Sequence, residues 1–255
     1  LTTNTQPALM AVSIAILRVF LEQNEFNINE KFQYVCGHSL GEFTALCAAN
    51  VLSLKDTTNL LRIRGQAMQE AVPQGKGSMA ALISSDFSKL DNLLDMVSRI
   101  GICEIANHNS LDQIVVSGET SAVQELVNNA SQFSIKRALL LNVSAPFHCS
   151  LMMPAQIRLQ NELKNITFNN PDIPIICNFT AASEIDPLKL KNNIINQVTN
   201  KVRWKETMEF AHDKQIKNIV ECGSGKVLSG LFKRFSRNFN IYNIENIEDL
   251  KNLEI

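Results

Sequence analysis

The sequence predicts an α/β fold in which a parallel-sheet core carries a small inserted α+β subdomain. Segments with the 3.6-residue period of a helix alternate with short runs rich in β-branched and aromatic residues. This pattern favours a mixed architecture over a helical bundle. The chain has 255 residues, of which 45% are hydrophobic, so it can bury one large core and a smaller second lobe.

The first part of the chain is predicted to contain three helices and one strand. We expect the helices over Pro7 to Gln23, Leu40 to Asn50 and Leu54 to Ala71, and the strand over Phe32 to Cys36. A helix cap is expected at Asn4-Thr5-Gln6-Pro7. A turn-rich run then interrupts the pattern, and we assign residues 1–73 to the larger subdomain.

The middle of the chain has the order β-α-β-β-α-β, which is typical of a ferredoxin-like unit. Strands are predicted over Ser78 to Ile83, Ile102 to Ala106, Gln113 to Val116 and Arg137 to Asn142, and helices over Ser88 to Arg99 and Ser121 to Ser131. We therefore place a ferredoxin-like subdomain at residues 74–142.

The larger subdomain is predicted to resume over residues 143–255. Helices are expected over Cys149 to Lys164, Leu188 to Gln197, Lys205 to His212 and Lys226 to Phe235, and strands over Ile173 to Cys177 and Ile216 to Glu221.

Charge and composition narrow the classes of partner. The net charge of −1, from 24 basic and 25 acidic residues, favours neither nucleic acid nor an anionic membrane. The longest apolar stretch, Ala8 to Leu21, contains Ser13 and Arg18 and is judged too short to span a bilayer.

Six scattered cysteines without a Cys-x-x-Cys pair predict core residues of a reducing compartment and no metal site. We expect a cytoplasmic location.

The segment Gly37-His38-Ser39-Leu40-Gly41 lies between a predicted strand and a predicted helix. A Gly-x-Ser-x-Gly turn in this context forms a nucleophile elbow, which exposes the serine hydroxyl at the helix N-terminus. We interpret Ser39 as a nucleophile, with a plain tight turn as the alternative. The backbone N–H of Leu40 would then point to where an oxyanion forms.

A nucleophilic serine needs a base, and four histidines are available. His38 belongs to the elbow itself, His108 is most simply a polar loop residue, and His212 lies at a solvated helix end. His148 is expected in a loop between a strand and a helix, which can lie at the same sheet edge as the elbow. It is the favoured base, with a core histidine as the alternative.

The order of these residues excludes an ordinary α/β-hydrolase. That fold runs serine, acid, histidine along the chain, with the histidine near the end of the domain, whereas 107 residues follow His148 here. No single aspartate or glutamate stands out as the third member either. A backbone carbonyl could orient the imidazole equally well.

Arg62 and Arg64 lie two residues apart on a predicted helix and so face different directions. If one of them turns inward near Ser39, its planar guanidinium suits a bidentate grip on a substrate carboxylate. From the residues alone, the favoured interpretation is that both are solvated.

Taken together, these residues resemble the malonyl-CoA:acyl carrier protein transacylase family over essentially the whole chain. The matching motifs are Thr5-Gln6-Pro7-Ala8-Leu9, Gly37-His38-Ser39-Leu40-Gly41-Glu42, Arg64-Gly65 with Met68-Gln69, Gln113 to Gly118, Ser144-Ala145-Pro146-Phe147-His148-Cys149, and Glu221-Cys222-Gly223-Ser224-Gly225-Lys226-Val227-Leu228. The resemblance implies a hydrolase-like core and transfer of a malonyl group from malonyl-CoA to the phosphopantetheine thiol of acyl carrier protein, for fatty acid biosynthesis.

The resemblance also implies roles for single residues. Ser39 would be acylated, His148 would act as general base, and the main-chain carbonyl of Gln197 would orient the histidine. Arg64 would hold the free malonyl carboxylate. Leu40 and Phe147 fit a preference for malonyl over branched acyl units.

No metal or organic cofactor is implied, and we expect a monomer. Family members begin with a strand and a Gly-Gln-Gly-like loop that supplies a second oxyanion N–H, and nothing similar precedes Leu1, so we expect an N-terminal truncation. Ser224 also stands where family members commonly have a proline in the late glycine turn.

Two alternative functions stay open: a serine thioesterase or esterase, and a non-catalytic fragment that docks acyl carrier protein.

Overall fold

The computed structural model describes residues 2–251. Its helices and strands, in chain order, are α1 (Thr2–Gln23), α2 (Ile28–Lys31), β1 (Val35–Cys36), α3 (Leu40–Ala48), α4 (Leu54–Glu70), β2 (Gly77–Ile83), α5 (Leu90–Ser98), β3 (Cys103–His108), β4 (Gln113–Glu119), α6 (Thr120–Asn129), β5 (Arg137–Leu140), α7 (Met153–Leu163), β6 (Ile175–Ile176), β7 (Ser183–Glu184), α8 (Pro187–Gln197), α9 (Trp204–Asp213), β8 (Asn218–Cys222), α10 (Val227–Phe235), β9 (Asn240–Ile244) and α11 (Ile247–Lys251).

The middle of the chain forms a four-stranded antiparallel sheet in the order β3-β4-β2-β5. The β-α-β-β-α-β order of its elements is the one that the sequence predicts. Alternate residues of β2 face opposite sides of the sheet. Ala80 and Leu82 pack with buried residues of α5 and α6, whereas Met79 and Ala81 pack towards Phe147. The sheet therefore touches the segment that carries His148.

Parallel strands are present as predicted, but they belong to two sheets. β1 pairs in parallel with β6, Val35 opposite Ile175, and β7 adds an antiparallel edge. β8 pairs in parallel with β9 over five residues. A cleft of about 680 Å³ is lined by both β1 and β8. The main core lies beside these strands and is built from apolar faces of α1, α3, α4, α7 and α8.

Several element boundaries differ from prediction. The strand expected over Phe32 to Cys36 is only Val35–Cys36, the two residues that pair with β6. The four-residue α2 before it was not predicted, since it is too short to give a periodic signal. β9 and α11 had no predicted counterpart; the polar–apolar alternation of β9 becomes a strand by pairing with β8. The division of the chain at residues 74 and 142 stays a prediction.

The first helix departs from two expectations. It begins at Thr2 and contains Pro7, so the cap expected at residues 4–7 is wrong. By length and composition, the segment Asn4–Gln23 could also cross a membrane, and 22% of the 18-residue window tested within it is buried. Core helices can pass the same test, and Met10, Ile14 and Phe20 of α1 are buried in this protein. The test is therefore weak evidence for a membrane span.

Candidate active site

Ser39 lies in a strained turn between β1 and α3. Its backbone angles are φ 52° and ψ −104°, a positive-φ conformation outside the allowed regions that is costly for a residue with a side chain. Gly37 makes the turn possible, since a Cβ at this position would collide with the backbone carbonyl of Gly41. Gly41 differs from expectation: apart from its chain neighbours and the backbone of its own helix, no heavy atom of the described residues would lie within 4 Å of its Cβ. Steric contact therefore requires glycine at position 37 but not at position 41.

Alanine at these two glycines is expected to have opposite consequences. Gly37→Ala should lower the free energy of unfolding by about 1–3 kcal/mol or more, since neither backbone segment can yield easily. Gly41→Ala is the matched control, and we expect it to be neutral or slightly stabilising because alanine favours a helix over glycine. Thermal unfolding of both variants measures the difference. Equal melting temperatures would contradict the steric argument.

Ser39 and His148 are in direct contact. The Ser39 hydroxyl lies 2.7 Å from Nε2 of His148, and Nδ1 of His148 lies 2.8 Å from the main-chain oxygen of Gln197. With the proton on Nδ1, the ring donates to the Gln197 carbonyl and accepts from the serine hydroxyl. His148 is 4% exposed and has a φ of 61°. Residues 109 positions apart thus form a serine–histidine–carbonyl chain.

The antiparallel sheet holds the loop that follows His148. Glu104 of β3 accepts from the backbone N–H of Ser150 at 2.8 Å and from its hydroxyl at 2.7 Å. The Cys149 thiol is buried and contacts the Pro146 carbonyl and the Ser117 hydroxyl. The loop is therefore anchored by β3 and β4, which explains how the middle of the chain contributes to the site.

Arg64 is turned inward, so the expectation that both helix arginines are solvated is wrong for this residue. Its side chain is 2% exposed, whereas Arg62 is exposed. Its guanidinium donates to Oε1 of Gln6 at 2.7 Å, to the Ser39 hydroxyl oxygen at 2.9 Å and to Oε1 of Gln197 at 3.0 Å. Nε has no hydrogen-bond partner among residues 2–251.

A cavity of about 220 Å³ opens beside these groups. It is lined by Thr5, Gln6, Leu40, Arg64, Met68 and Phe147. The three residues predicted to contact the acyl group, Leu40, Arg64 and Phe147, thus line one cavity. A small cavity with apolar walls and one buried cation suits a short acyl group with a terminal carboxylate.

Burial decides the protonation states in the site. Burial lowers the pKa of His148 from its ordinary 6.5 to about 3, and the charge of Arg64 acts in the same direction. Burial also lowers the pKa of Arg64 to about 10, which the charge of Glu42 partly offsets. Near neutral pH the imidazole is therefore neutral and the guanidinium is charged.

The other histidines lie elsewhere. Nε2 of His38 is 2.9 Å from Oδ1 of Asn109, and its ring packs against Trp204. His108 ends β3 instead of lying in a loop, with Nδ1 3.8 Å from Glu206. The His212 side chain is 47% exposed.

Three further residues belong to the site, although the sequence analysis gave them no role: Gln6, Asn178 and Glu42. Gln6 bonds Arg64, and Asn178 accepts from the Ser39 N–H at 2.7 Å and donates to the Gly37 carbonyl at 2.8 Å. Glu42 is fully buried below them. Asn178 could have been found, because it follows β6, whose carboxyl end lies at the same sheet edge as that of β1.

The six cysteines, predicted as core residues, differ in burial. Cys47, Cys149 and Cys177 are buried, as predicted for core residues, but Cys36 is exposed and lines the large cleft. Within the described part of the chain, no group of three or more His, Cys, Asp or Glu side chains could hold a metal ion.

Comparison with known proteins gives the family. The acyl transferase domain family matches residues 1–232. A malonyl CoA-acyl carrier protein transacylase from Bacillus subtilis is 40% identical over 238 residues, which cover 93% of this chain and 74% of that protein. Its counterpart from Salmonella typhimurium is 37% identical over 233 residues, with coverage of 91% and 74%.

Solved structures agree. An acyl-carrier-protein-S-malonyltransferase from Bartonella henselae superposes with a TM-score of 0.95 at 46% identity, covering 99% of this chain and 80% of that one. The fold and the matched domain define an acyltransferase of mixed α/β architecture. Within that class, the chain belongs to the family of malonyl CoA-acyl carrier protein transacylases.

Proposed function

We propose that this protein moves a malonyl group from malonyl-CoA to the phosphopantetheine thiol of acyl carrier protein, through a malonyl-serine on Ser39, for fatty acid biosynthesis. The observation that carries the proposal is the contact of Ser39 with both His148 and Arg64 beside the 220 Å³ cavity. The Ser39 hydroxyl thus contacts both the proposed base, His148, and the cation proposed to bind the malonyl carboxylate, Arg64.

In the first half-reaction, the Ser39 oxygen attacks the thioester carbonyl while Nε2 of His148 takes the hydroxyl proton. The Gln197 carbonyl stabilises the resulting imidazolium through Nδ1–H. Leu40 begins α3, so its N–H has no partner within the helix and can donate to the oxyanion. The C–S bond then breaks, and His148 protonates the departing coenzyme A thiolate.

In the second half-reaction, the carrier thiol loses its proton to His148 and attacks the malonyl-serine carbonyl. The C–O bond to Ser39 breaks, and the serine oxygen recovers its proton from the imidazolium. Arg64 would hold the malonyl carboxylate in both halves, which fixes the thioester against Ser39. These steps need no metal or bound cofactor.

The acceptor and the setting are part of the proposal. A solved complex of a type II PKS acyl-carrier protein with its malonyl-transacylase aligns with a TM-score of 0.92 at 36% identity, covering 98% of this chain and 80% of that one. This supports an acyl carrier protein as acceptor. We further propose a monomer in the cytoplasm.

Mass spectrometry tests the proposed function. The protein is incubated with malonyl-CoA and its intact mass is measured before and after addition of acyl carrier protein that bears phosphopantetheine. We expect a malonyl adduct that passes to the carrier. Release of free malonate at the same rate without carrier would instead favour the thioesterase alternative, and carrier binding without any adduct would favour the docking fragment.

The pH dependence of acylation should reflect the low pKa of His148. Only the neutral imidazole acts as base, so a histidine of ordinary pKa would be half inactive at 6.5, whereas here that loss is expected near 3. Burial raises the pKa of Glu42 to about 7, so Glu42→Gln serves as the control for an inflection near neutral pH. Rapid-quench rates at pH 5 to 8 are the measurement. A half-loss near 6.5 that persists in Glu42→Gln would contradict this assignment.

A further inference from the structure

Glu42 is a buried carboxyl group that takes no part in the proposed reaction. It lies in the first turn of α3, three residues after Ser39, and is 0% exposed. Its Oε2 accepts from Nε2 of Gln197 at 2.7 Å and from the backbone N–H of Asn178 at 3.1 Å. Its Oε1 has no hydrogen-bond partner in the described part of the chain. Oε2 therefore accepts both of the hydrogen bonds that the Glu42 side chain makes to Gln197 and Asn178.

The two donors to Glu42 each contact a group of the proposed reaction. Gln197 accepts from His148 Nδ1 with its main-chain oxygen and from Arg64 with its side-chain oxygen. Asn178 accepts the Ser39 N–H with its side-chain oxygen. Ser39, His148 and Arg64 therefore each contact a residue that is itself hydrogen-bonded to Oε2 of Glu42.

We propose that Glu42 is a positioning residue whose Oε2 holds Gln197 and Asn178 so that His148 keeps its proton on Nδ1 and Ser39 keeps its strained turn. The proposal rests on the proposed function. Hydrogen bonds to a buried acceptor are stronger than those in water, and no water is available to replace them when the acceptor is lost. Without this acceptor, Nε2 of Gln197 loses its 2.7 Å bond to Glu42 and keeps only its 2.9 Å bond to the Ser39 carbonyl as a close contact, so the side chain between Arg64 and Ser39 is held less firmly.

Two substitutions separate the acceptor from the charge. Glu42→Gln can place its carbonyl oxygen where Oε2 lies, which retains both bonds, while its amide nitrogen takes the place of the unpartnered Oε1. Glu42→Met has similar length and removes both acceptors. The charged or titratable groups near Glu42 are Arg64, Cys36 and Cys177, and neither substitution alters them.

The experiment measures the ring of His148 and the rate of acylation. The full chain is labelled with ¹⁵N-histidine, and NMR reports the share of His148 with its proton on Nδ1. We expect Glu42→Gln to retain the wild-type tautomer and rate. Glu42→Met should mix the tautomers and slow malonyl-serine formation at least about 10-fold, since a positioned base contributes about 10²–10⁴-fold.

Circular dichroism and thermal unfolding first establish that each variant is folded. If Glu42→Met is not folded, Gln197→Met tests the link through the His148 tautomer alone, because it removes the amide, with its bonds to Arg64 and the Ser39 carbonyl as well, and leaves the main-chain carbonyl and Glu42 in place. Unchanged tautomer and rate in the folded Met variant would overturn the proposal, as would equal damage by Glu42→Gln. The NMR readout does not need turnover, so absence of a wild-type adduct would refute the proposed function and still leave Glu42 tested.

Discussion

Ser39→Ala is expected to abolish the malonyl adduct. The hydroxyl is the group that would carry the acyl chain, and it is held 2.7 Å from the His148 Nε2 that would take its proton. Loss of a nucleophile in this type of site lowers the rate by about 10⁶-fold, beyond detection in an intact-mass measurement. Alanine keeps the backbone bond from the residue 39 N–H to Asn178, so the elbow is expected to persist.

Ser224→Ala is the matched control for this experiment. Ser224 also stands between two glycines, Gly223 and Gly225, but is exposed. We expect it to form the adduct at the wild-type rate. An adduct of equal size on the Ser39→Ala protein would show that another residue is acylated and would contradict the proposed mechanism.

Arg64→Ala is expected to remove the preference for malonyl over acetyl thioesters. The buried guanidinium lines the 220 Å³ cavity, and charge-assisted hydrogen bonds to such a group contribute about 1.5–3 kcal/mol, or roughly 10- to 100-fold in rate. Acylation by malonyl-CoA should fall by that factor, whereas acylation by acetyl-CoA should not. The ratio of the two rates is the measurement.

Arg62→Ala is the matched control, because this exposed arginine lies on the same helix two residues away.

The pH dependence of acylation by Arg64→Ala is a second readout, which reports on His148. The charge of Arg64 lowers the pKa of His148, so its removal should raise that pKa and move the acid limb of acylation to higher pH. Equal losses with malonyl-CoA and acetyl-CoA would mean that Arg64 supports the fold of the site and does not select the acyl group.

Removal of Arg64 also leaves the side-chain oxygens of Gln6 and Gln197 without this donor. Some loss of stability is therefore expected, and thermal unfolding must accompany the kinetics. Arg64→Lys retains a cation but not the planar fork, and we expect it to restore only part of the malonyl preference.

The sequence alone determined the alternation of helices and strands, the β-α-β-β-α-β order in the middle of the chain, and the position of Ser39 between a strand and a helix. These features depend on local periodicity and on turn chemistry, which neighbouring residues encode. The same local signals began β1 three residues too early and gave no strand at β9, because strands this short are stabilised by their partners β6 and β8.

Only the tertiary structure decided which side chains meet. Arg64 looked solvated from its own helix, yet it is buried because Gln6 and Gln197, 58 and 133 residues away, supply its acceptors. Glu42 carries no local signal of its contact with Gln197, and Asn178 reaches Ser39 only because β6 pairs in parallel with β1. A buried polar group is stable only with partners, and those partners come from segments that the fold, not the sequence neighbourhood, brings together.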